Sequence, residues 1–180
     1  MFGSAIIHTD RFLLRQFCSD DLVFIFEGLS HPDVIRYYGV SYASLEETNE
    51  QLIWFNELQK NETGIWWAIC DQESLVCLGA IGLNDLSKTD QKAEIGFWQL
   101  PEHWGKGIIK EVVNPICNYA FEKLGLRKIE AMVETENENS RKVLQKLDFD
   151  YHKTIENCEI KNDKLIILAI YVKLKREDMI

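Results

Sequence analysis

The sequence predicts one α/β or α+β domain over residues 1–180, in which a mixed sheet is covered by helices. Leu52, Phe55 and Leu58 lie at helical spacing, whereas apolar and polar residues alternate between residues 65 and 100 as they do in strands. Helix and strand patterns then follow in turn, which gives the order β-α-α-β-β-β-α-β-α-β-β. With 180 residues, 46% of them hydrophobic, the chain is long enough for one domain with its own core.

The first part of the chain predicts one strand followed by two helices. Residues 11–17 alternate as a strand does, and Ser19 is expected to cap a helix that continues to about residue 29. That helix ends before Pro32, because the residue preceding a proline avoids helical geometry. Ser44 and Glu47 have the spacing of a capping box, which predicts a second helix to about residue 60.

The rest of the chain predicts an antiparallel meander and then alternating helices and strands. Residues 65–70, 76–83 and 93–100 are predicted strands joined by short polar turns. Residues 108–124 predict a helix that Gly125 ends, and residues 128–135 predict a strand. Asn137 is expected to cap a short helix to residue 147. Two final strands, at about 151–160 and 165–174, flank a predicted turn at residues 161–163.

The charge and the apolar pattern argue against several classes of function. The 20 basic and 29 acidic residues give a net charge of −9, which disfavours nucleic acids and anionic membranes as partners. No apolar run approaches the roughly 18 residues of a membrane span, and the N-terminus lacks the pattern of a secretory signal. We therefore expect a cytoplasmic protein whose acidic surface mildly favours cationic partners.

The cysteines and histidines give no support to a metal site. Their spacing fits neither a zinc site nor a disulfide framework, and the sequence has no HExxH pair. Most of the five cysteines are expected to be small core residues of a reduced protein. They are Cys18, Cys70, Cys77, Cys117 and Cys158.

The segment with the clearest chemical pattern is a glycine-rich turn between a predicted strand and a predicted helix. Gly105, Lys106 and Gly107 lead directly into the helix, so that backbone N–H groups can converge on an anion. The helix start adds partial positive charge, and Lys106 or Lys110 adds a full one. The pattern predicts a phosphate or pyrophosphate site, although two glycines that merely form a tight turn are the alternative. Neither a Walker A loop nor a dinucleotide fingerprint fits, because Gly107 follows Lys106 and Lys110 stands where a third glycine belongs.

The glycine turn resembles motif A of the GCN5-related N-acetyltransferases (GNAT), in which a [QR]-x-x-G-x-[GA] loop holds the pyrophosphate of acetyl-coenzyme A. Gly105 and Gly107 match the two small positions, and Glu102 stands where Gln or Arg is usual. Residues 137–149 are similar to the family's N-x-x-[SA]-x-x-[VL]-x-x-K-x-G-F motif, with Asp148 in place of Gly. Because Asp tolerates positive φ better than most residues, the end of this helix is expected to persist.

The N-terminal half is similar to the RimJ/RimL-type branch of the same family. The similar segments are T-D-R-F-L-L-R at 9–15, D-D at 20–21, H-P-D-V at 31–34 and R-Y-Y-G at 36–39. The resemblance runs from about residue 9 to beyond residue 171. It implies a single GNAT-like domain with a mixed, mostly antiparallel twisted sheet flanked by helices. It also implies that this sheet is splayed between its fourth strand (93–100), which carries a bulge, and its fifth (128–135).

The resemblance implies an acetyl-CoA-dependent N-acetyltransferase in which the amine attacks the thioester directly within a ternary complex. Pantetheine is expected to lie in the gap between the splayed strands and to pair with main-chain groups of Phe97, Trp98 and Gln99. A protein N-terminal α-amine or a small amine is the implied acceptor, and a homodimer is the implied assembly. The other residues expected to bind acetyl-CoA are Trp104, Gly105, Lys106, Gly107, Ile108, Ile109, Lys110, Asn137 and Ser140.

Such a reaction needs a group that takes a proton from the amine and a group that protonates the departing thiolate. Glu94, at the start of a strand, is the predicted base; Glu134 is the substitute, and a solvent-facing Glu94 is the alternative. Many family members use a Tyr seven residues after the motif Asn as the acid, but Leu144 occupies that position. Ser140, one helical turn earlier, is the predicted donor, with helix capping, packing or solvent as alternatives.

A second hypothesis follows from the missing Tyr and from Asp148. A domain of this fold could hold coenzyme A without turnover and regulate a partner.

Overall fold

The computed structural model describes residues 5–161 and 164–176, and the side chains of these ranges apart from 157–161 and 164. Within them, the chain forms two strands, three α-helices and three strands in turn, and then a helix, a strand, a helix and two strands. The strands are β1 (Ile7–His8), β2 (Phe12–Gln16), β3 (Ile65–Asp71), β4 (Cys77–Ser87), β5 (Lys92–Gln99), β6 (Lys128–Glu134), β7 (Asp150–Lys161) and β8 (Lys164–Leu174). The helices are α1 (Leu22–Ser30), α2 (Pro32–Ile35), α3 (Leu45–Lys60), α4 (Ile108–Glu122) and α5 (Glu138–Lys146).

In the described part of the chain, all eight strands form one sheet in the order β1-β2-β3-β4-β5-β6-β8-β7. Neighbouring strands are antiparallel except for β5 and β6, which run parallel. A parallel pair needs a crossover connection, and α4 provides it. The mixed, mostly antiparallel sheet with flanking helices confirms the predicted fold class.

The sheet is splayed between β5 and β6, as the sequence predicted. The two strands pair only from Lys92 with Lys128 to Glu94 with Glu130, although β5 continues to Gln99 and β6 to Glu134. The bulge was expected on β5, but it lies on the neighbouring strand β4. The extra residue lies on β4 between Asn84 and Ser87, where Asp85 takes a positive φ of 49°. A bulged strand needs one residue outside the regular ladder, and the exposed Asp85 provides it.

The two faces of the sheet have separate cores. One face packs against α4, through a cluster that includes Val112 and Ile116 with Ile81 and Ile95. The opposite face packs against α1 and α3, through Ile25, Leu29, Phe55, Trp66 and Trp98. Side chains alternate along a strand, so Glu94, between Ala93 and Ile95 of the first cluster, lies on the face of α1 and α3.

The start of the first helix differs from the prediction. Ser19 is not its N-cap, because residues Ser19–Asp21 form a 3₁₀ turn ahead of α1. The Asp21 carboxylate closes this turn by accepting a hydrogen bond from the Cys18 N–H at 2.8 Å. Two short elements were also not predicted. They are β1, a two-residue strand at the edge of the sheet, and α2, which begins at Pro32.

Most other boundaries follow the residues that predicted them. Ser44 caps α3 by accepting from the Glu47 N–H, but the Glu47 carboxylate accepts from Ala43 rather than completing the box at Ser44. Gly125 follows α4 with a φ of 69°, and Asp148 tolerates a φ of 60° after α5, as expected. The predicted turn at residues 161–163 lies partly outside the described residues.

The described residues contain no helix with the length and apolar character that crossing a bilayer requires. Within the same ranges, no group of three or more His, Cys, Asp or Glu residues is arranged to hold a metal ion. Of the cysteines, Cys70 and Cys117 are buried, Cys18 is exposed and Cys77 is partly exposed. The side chain of Cys158 lies outside the described set.

Candidate active site

The glycine turn has the backbone geometry of an anion cradle. Gly105 and Gly107 have φ values of 74° and 75°, a conformation that side chains disfavour. Gly107 is also the N-cap of the 15-residue helix α4, whose first N–H groups lack partners within the helix. A Cβ built at Gly105 would have none of the described residues within 4 Å, so they leave open space above this turn. The backbone and the helix start can therefore present N–H donors to an anion.

Arg11, at the entry to β2, connects the N-terminal segment to the glycine turn. Its Nε lies 2.7 Å from the Glu111 carboxylate on α4, and its terminal nitrogen donates to the Lys106 carbonyl at 3.2 Å. Thr9 donates to the same carboxylate at 2.6 Å. Burial alone would raise the pKa of Glu111, but the hydrogen bonds from Thr9 and Arg11 lower it, so the carboxylate stays charged.

Arg11 was not predicted from the sequence as a site residue. The only signal was its place in the N-terminal motif, because nothing local indicates that it reaches a turn 95 residues away.

The free edge of β5 and the glycine turn together fit a long ligand with an anionic end. From Glu94 to Gln99 the strand has six residues, so that its ends are about 17 Å apart at the usual rise per residue. Gln99 Nε2 is buried and has no hydrogen-bond partner among the described residues, although buried amides are normally paired. The open strand edge at the start of the turn is a feature that an acyl-coenzyme A could satisfy.

The structure restricts how several predicted contacts can be made. Ile108 and Ile109 are buried in the core, so only their main-chain N–H groups are available to an anion. The Trp98 ring packs against Gly28 of α1, which leaves its backbone, not its indole, for a ligand on the strand edge. Trp104 is 46% exposed, and its indole donates to the Gln99 carbonyl at 3.0 Å. Lys106 and Lys110 are exposed near the turn.

Glu94 is a partly buried carboxylate at the point where β5 and β6 separate. It is paired with Asn84 on β4 and with Glu130 on β6. Burial raises its pKa to about 7, and the negative charges of Asp85 and Glu130 add to this, while a hydrogen bond from Asn84 opposes it. A carboxylate with a pKa near 7 can exchange protons at neutral pH.

The face of the sheet that carries Glu94 is rich in aromatic side chains. The Trp66 ring lies over the two glycines Gly82 and Gly96, in contact with Phe55. The negative charge of Glu94 contributes to a raised pKa of Tyr38, after burial, which places the two groups near each other. The indole N–H groups of Trp66 and Trp98 are buried and have no partner among the described residues.

The second motif forms the helix start that the sequence predicted. Asn137 accepts a hydrogen bond from the Ser140 N–H at 3.1 Å and so caps α5. Its amide NH₂ group is the part of the side chain suited to a ligand carbonyl. Ser140 is half-buried in the first turn of α5, and Leu144 one turn later is fully buried in the core. Leu144 is therefore a packing residue here.

Comparison with known proteins agrees with this geometry. Residues 11–150 match the model of the acetyltransferase (GNAT) domain. The chain is 37% identical over 158 residues to the uncharacterized N-acetyltransferase YoaA of Bacillus subtilis (strain 168), which covers 87% of this chain and 89% of the relative.

Solved structures show the same fold. The ribosomal-protein-S5-alanine acetyltransferase of Vibrio fischeri superposes with a TM-score of 0.83 at 19% identity, over 94% of this chain and 96% of that one. The spermidine N-acetyltransferase of Vibrio cholerae, in complex with CoA and spermine, gives a TM-score of 0.80 at 22% identity, over 89% and 94%. By sequence and by fold, the chain belongs to the GNAT family of acetyltransferases, enzymes that take their acetyl group from acetyl-CoA.

Proposed function

We propose that this enzyme transfers the acetyl group of acetyl-CoA to a primary amine within a ternary complex, with Glu94 as the base. The observation that carries the proposal is Glu94 itself, whose pKa of about 7 is set by burial and by the acidic neighbours Asp85 and Glu130. An ordinary surface glutamate is a weak base, since its pKa is near 4.3. A base whose pKa matches the working pH is more effective.

The binding of acetyl-CoA is assigned to the glycine turn and the edge of β5. Backbone N–H groups of residues 105–109 hold the pyrophosphate, with Lys106 and Lys110 as nearby cations. Main-chain groups of Phe97 and Trp98 hold the pantetheine arm as an added strand does. Gln99 is assigned through its main chain, because its side-chain Nε2 is buried; its main-chain carbonyl also accepts from Trp104. The bound acetyl-CoA supplies a thioester carbonyl with which an amine reacts.

Glu94 takes a proton from the amine, directly or through one water. In its ionised form the carboxylate also attracts the cationic form of the acceptor. The Asn84 side chain orients the carboxylate from β4. Glu134, the last residue of β6, remains the substitute base, because it lies on the strand from which β5 diverges.

An amine acceptor also agrees with the surroundings of Glu94. Aromatic faces attract ammonium groups, and Trp66 and Tyr38 lie on this side of the sheet. The net charge of −9 favours basic acceptors. Two structural neighbours are named for a ribosomal protein and for spermidine, so a protein α-amine and a polyamine are the first acceptors to try.

Asn137 and Ser140 are assigned to the acyl end of the ligand. The Asn137 amide contacts the cofactor while its carbonyl oxygen caps α5. The Ser140 hydroxyl donates a hydrogen bond to the leaving thiolate, through a water where needed. The demand on this donor is modest, because a thiol has a pKa of about 8.5 and leaves readily as an anion.

The experiment is an assay of thiol release from acetyl-CoA with a panel of peptide α-amines and polyamines. The acetylated product is identified by its mass, and acetyl-CoA binding is measured separately by calorimetry. We expect an amine-dependent release of thiol and an N-acetylated product. Tight acetyl-CoA binding without transfer to any amine would instead favour the regulatory module.

Glu94→Gln and Glu134→Gln form a matched pair for the base. We expect Glu94→Gln to lower kcat/KM by roughly 10²–10⁴, the usual contribution of one general base. Glu134→Gln is expected to keep most of the activity. The reverse pattern would assign the base to Glu134.

A further inference from the structure

A pair of thiols lies outside the acetyl-transfer site. Cys70 is the next-to-last residue of β3, Cys77 begins β4, and the two are partners in the ladder just beyond a register shift between Ile69 and Cys70. Their sulfur atoms are 3.0 Å apart. A directly opposite cross-strand pair has the Cα separation that a disulfide requires.

A well-formed hairpin holds the two sulfurs in place. Asp71 N–H donates to the Val76 carbonyl at 2.9 Å, and the Asp71 carboxylate accepts from the Ser74 N–H at 2.8 Å and from its hydroxyl at 2.9 Å. The turn between the cysteines is therefore held by its own hydrogen bonds. Little backbone movement separates the dithiol from a disulfide.

The groups next to the pair favour a thiolate at Cys70 and a protonated thiol at Cys77, because the hydrogen bond to Cys70 and burial raise the pKa of Cys77. Arg15 lies 3.5 Å from the Cys77 sulfur and is fixed by a two-point ion pair with Asp21, each bond 2.7 Å long. The hydrogen bond from the Cys77 thiol lowers the pKa of Cys70, burial opposes this, and the charge of Arg15 lowers it further. Asp21, 3.9 Å from the Cys77 sulfur, is the opposing negative charge. The thiolate is the reactive form of cysteine.

Solvent reaches the cysteine pair from the side of Cys77. Cys70 is fully buried, whereas Cys77 is partly exposed. An oxidant reaches the pair at Cys77, and the proton that the two sulfurs share across 3.0 Å moves to Cys70, so that Cys77 attacks and Cys70 resolves the product. An accessible thiol beside a resolving cysteine is the arrangement of reversible thiol oxidation.

We propose that Cys70 and Cys77 are a site of reversible modification, at which a peroxide converts the two thiols into a disulfide. One sulfur attacks the peroxide oxygen and becomes a sulfenic acid, with water as the leaving group. The other sulfur attacks the sulfenic sulfur, the S–S bond forms and a second water leaves. The two thiols lose two electrons and two protons in total, and one hydrogen peroxide is reduced to two waters. A dithiol reductant reverses the change by exchange.

The site is separate from the proposed base, because Cys77 begins β4 whereas Asn84, the partner of Glu94, lies near its other end. The inference is independent of the acceptor and of the proposed function.

The test uses the full chain, reduced and then exposed to limiting hydrogen peroxide at neutral pH. Remaining thiols are blocked with N-ethylmaleimide, and the protein is digested with a protease that cuts after glutamate. This protease cuts after Glu73, between the two cysteines, so their peptides remain together only if a disulfide joins them. We expect the joined peptides to form before the exposed Cys18 is oxidised, and dithiothreitol to release them.

Cys77→Ser is the variant that removes the joined product, and Cys18→Ser is its matched control, which keeps it. Blocked thiols at both Cys70 and Cys77, after Cys18 has been oxidised, would overturn the proposal. So would linkage of Cys70 to a cysteine other than Cys77. The wild-type measurement requires no variant to fold.

Discussion

Gly107 combines a backbone requirement with a requirement for space. Its φ of 75° favours glycine whatever surrounds it, and a Cβ there would approach only the Arg11 side chain, at 3.8 Å. The protein interior therefore does not forbid a side chain at this position. A side chain at Gly107 is disfavoured instead by the backbone conformation and by the proposed pyrophosphate.

We expect Gly107→Val to abolish measurable acetyl-CoA binding while the chain still folds. Strain at such a φ costs about 1–3 kcal/mol, which most domains tolerate, whereas a branched side chain would stand between the N–H groups and the anion. Calorimetric titration measures the affinity, and circular dichroism measures the fold. Gly39→Ala is the control, because a Cβ at Gly39 meets nothing within 4 Å. Unchanged affinity in a folded Gly107→Val protein would contradict the pyrophosphate assignment.

Ser140 is the residue whose role is least fixed by its contacts. Its N–H binds the cap residue Asn137, and its hydroxyl lies on the helix face that Leu144 shares one turn later. A chemical role and a packing role predict different kinetics. Loss of a donor acts on kcat, whereas loss of packing acts on stability and affinity.

We expect Ser140→Ala to lower kcat by about tenfold or more with KM nearly unchanged, toward the lower part of the usual range for a proton-transfer group because thiolate leaves readily. Asn139→Ala, an exposed neighbour in the same helical turn, is expected to leave kcat unchanged. Steady-state kinetics at saturating acetyl-CoA provide the measurement. Wild-type turnover in Ser140→Ala, with chemistry rate-limiting, would assign the proton to solvent or to another residue.

At the scale of elements, the site depends on contacts between segments far apart in the chain. The turn ahead of α4 is held from the entry of β2 by Arg11, which binds both Glu111 and the Lys106 carbonyl. Arg11 thus fixes the position of the loop whose N–H groups are proposed to bind the anion. The Arg11 side chain is half-exposed, so its ion pair adds little to the stability of the fold and acts mainly by positioning the loop.

We expect Arg11→Gln to weaken acetyl-CoA binding by about tenfold, the equivalent of one charge-assisted hydrogen bond. Glu111→Gln should weaken binding as well, because Glu111 holds Arg11 in place. Lys88→Gln removes one positive charge at the opposite end of β5 and should leave the affinity unchanged. Equal weakening by Lys88→Gln in a calorimetric titration would mean that net charge, not loop position, is responsible.

Features that depend on neighbouring residues could be predicted from the sequence, whereas contacts between distant segments could not. Ser44, Gly125, Asn137 and Asp148 act within one turn of the chain, and each has the predicted capping or turn conformation. Ser19 failed as a cap because Asp21, bound to Arg15, closes a 3₁₀ turn at the same place. Strand β1 has only two residues and gives no periodic signal, since it depends on its pairing with β2.

At the scale of the whole molecule, the proposed base is a product of the sheet. Asn84 and Asp85 come from the bulge of β4, Glu94 from β5 and Glu130 from β6. The sequence could nominate Glu94 from its place in a motif-bearing strand. It could not show that Asp85 or Glu130 lies near Glu94, because those distances exist only after the strands pair and then splay. Arg11 and the Cys70–Cys77 pair escaped prediction for the same reason.

In this assembled environment Glu94 is proposed to be the base that receives the proton from an amine. The most direct test is the pH dependence of kcat/KM in the wild type, in Asp85→Asn and in Glu94→Gln. A base acts when deprotonated, so wild-type activity should rise with pH through an apparent pKa of about 7. Asp85→Asn removes a negative charge that raises this pKa, in a residue type that also tolerates positive φ, and should move the rise to lower pH. Glu94→Gln should abolish it. A rise that persists in Glu94→Gln, or that stays in place in Asp85→Asn, would contradict the account.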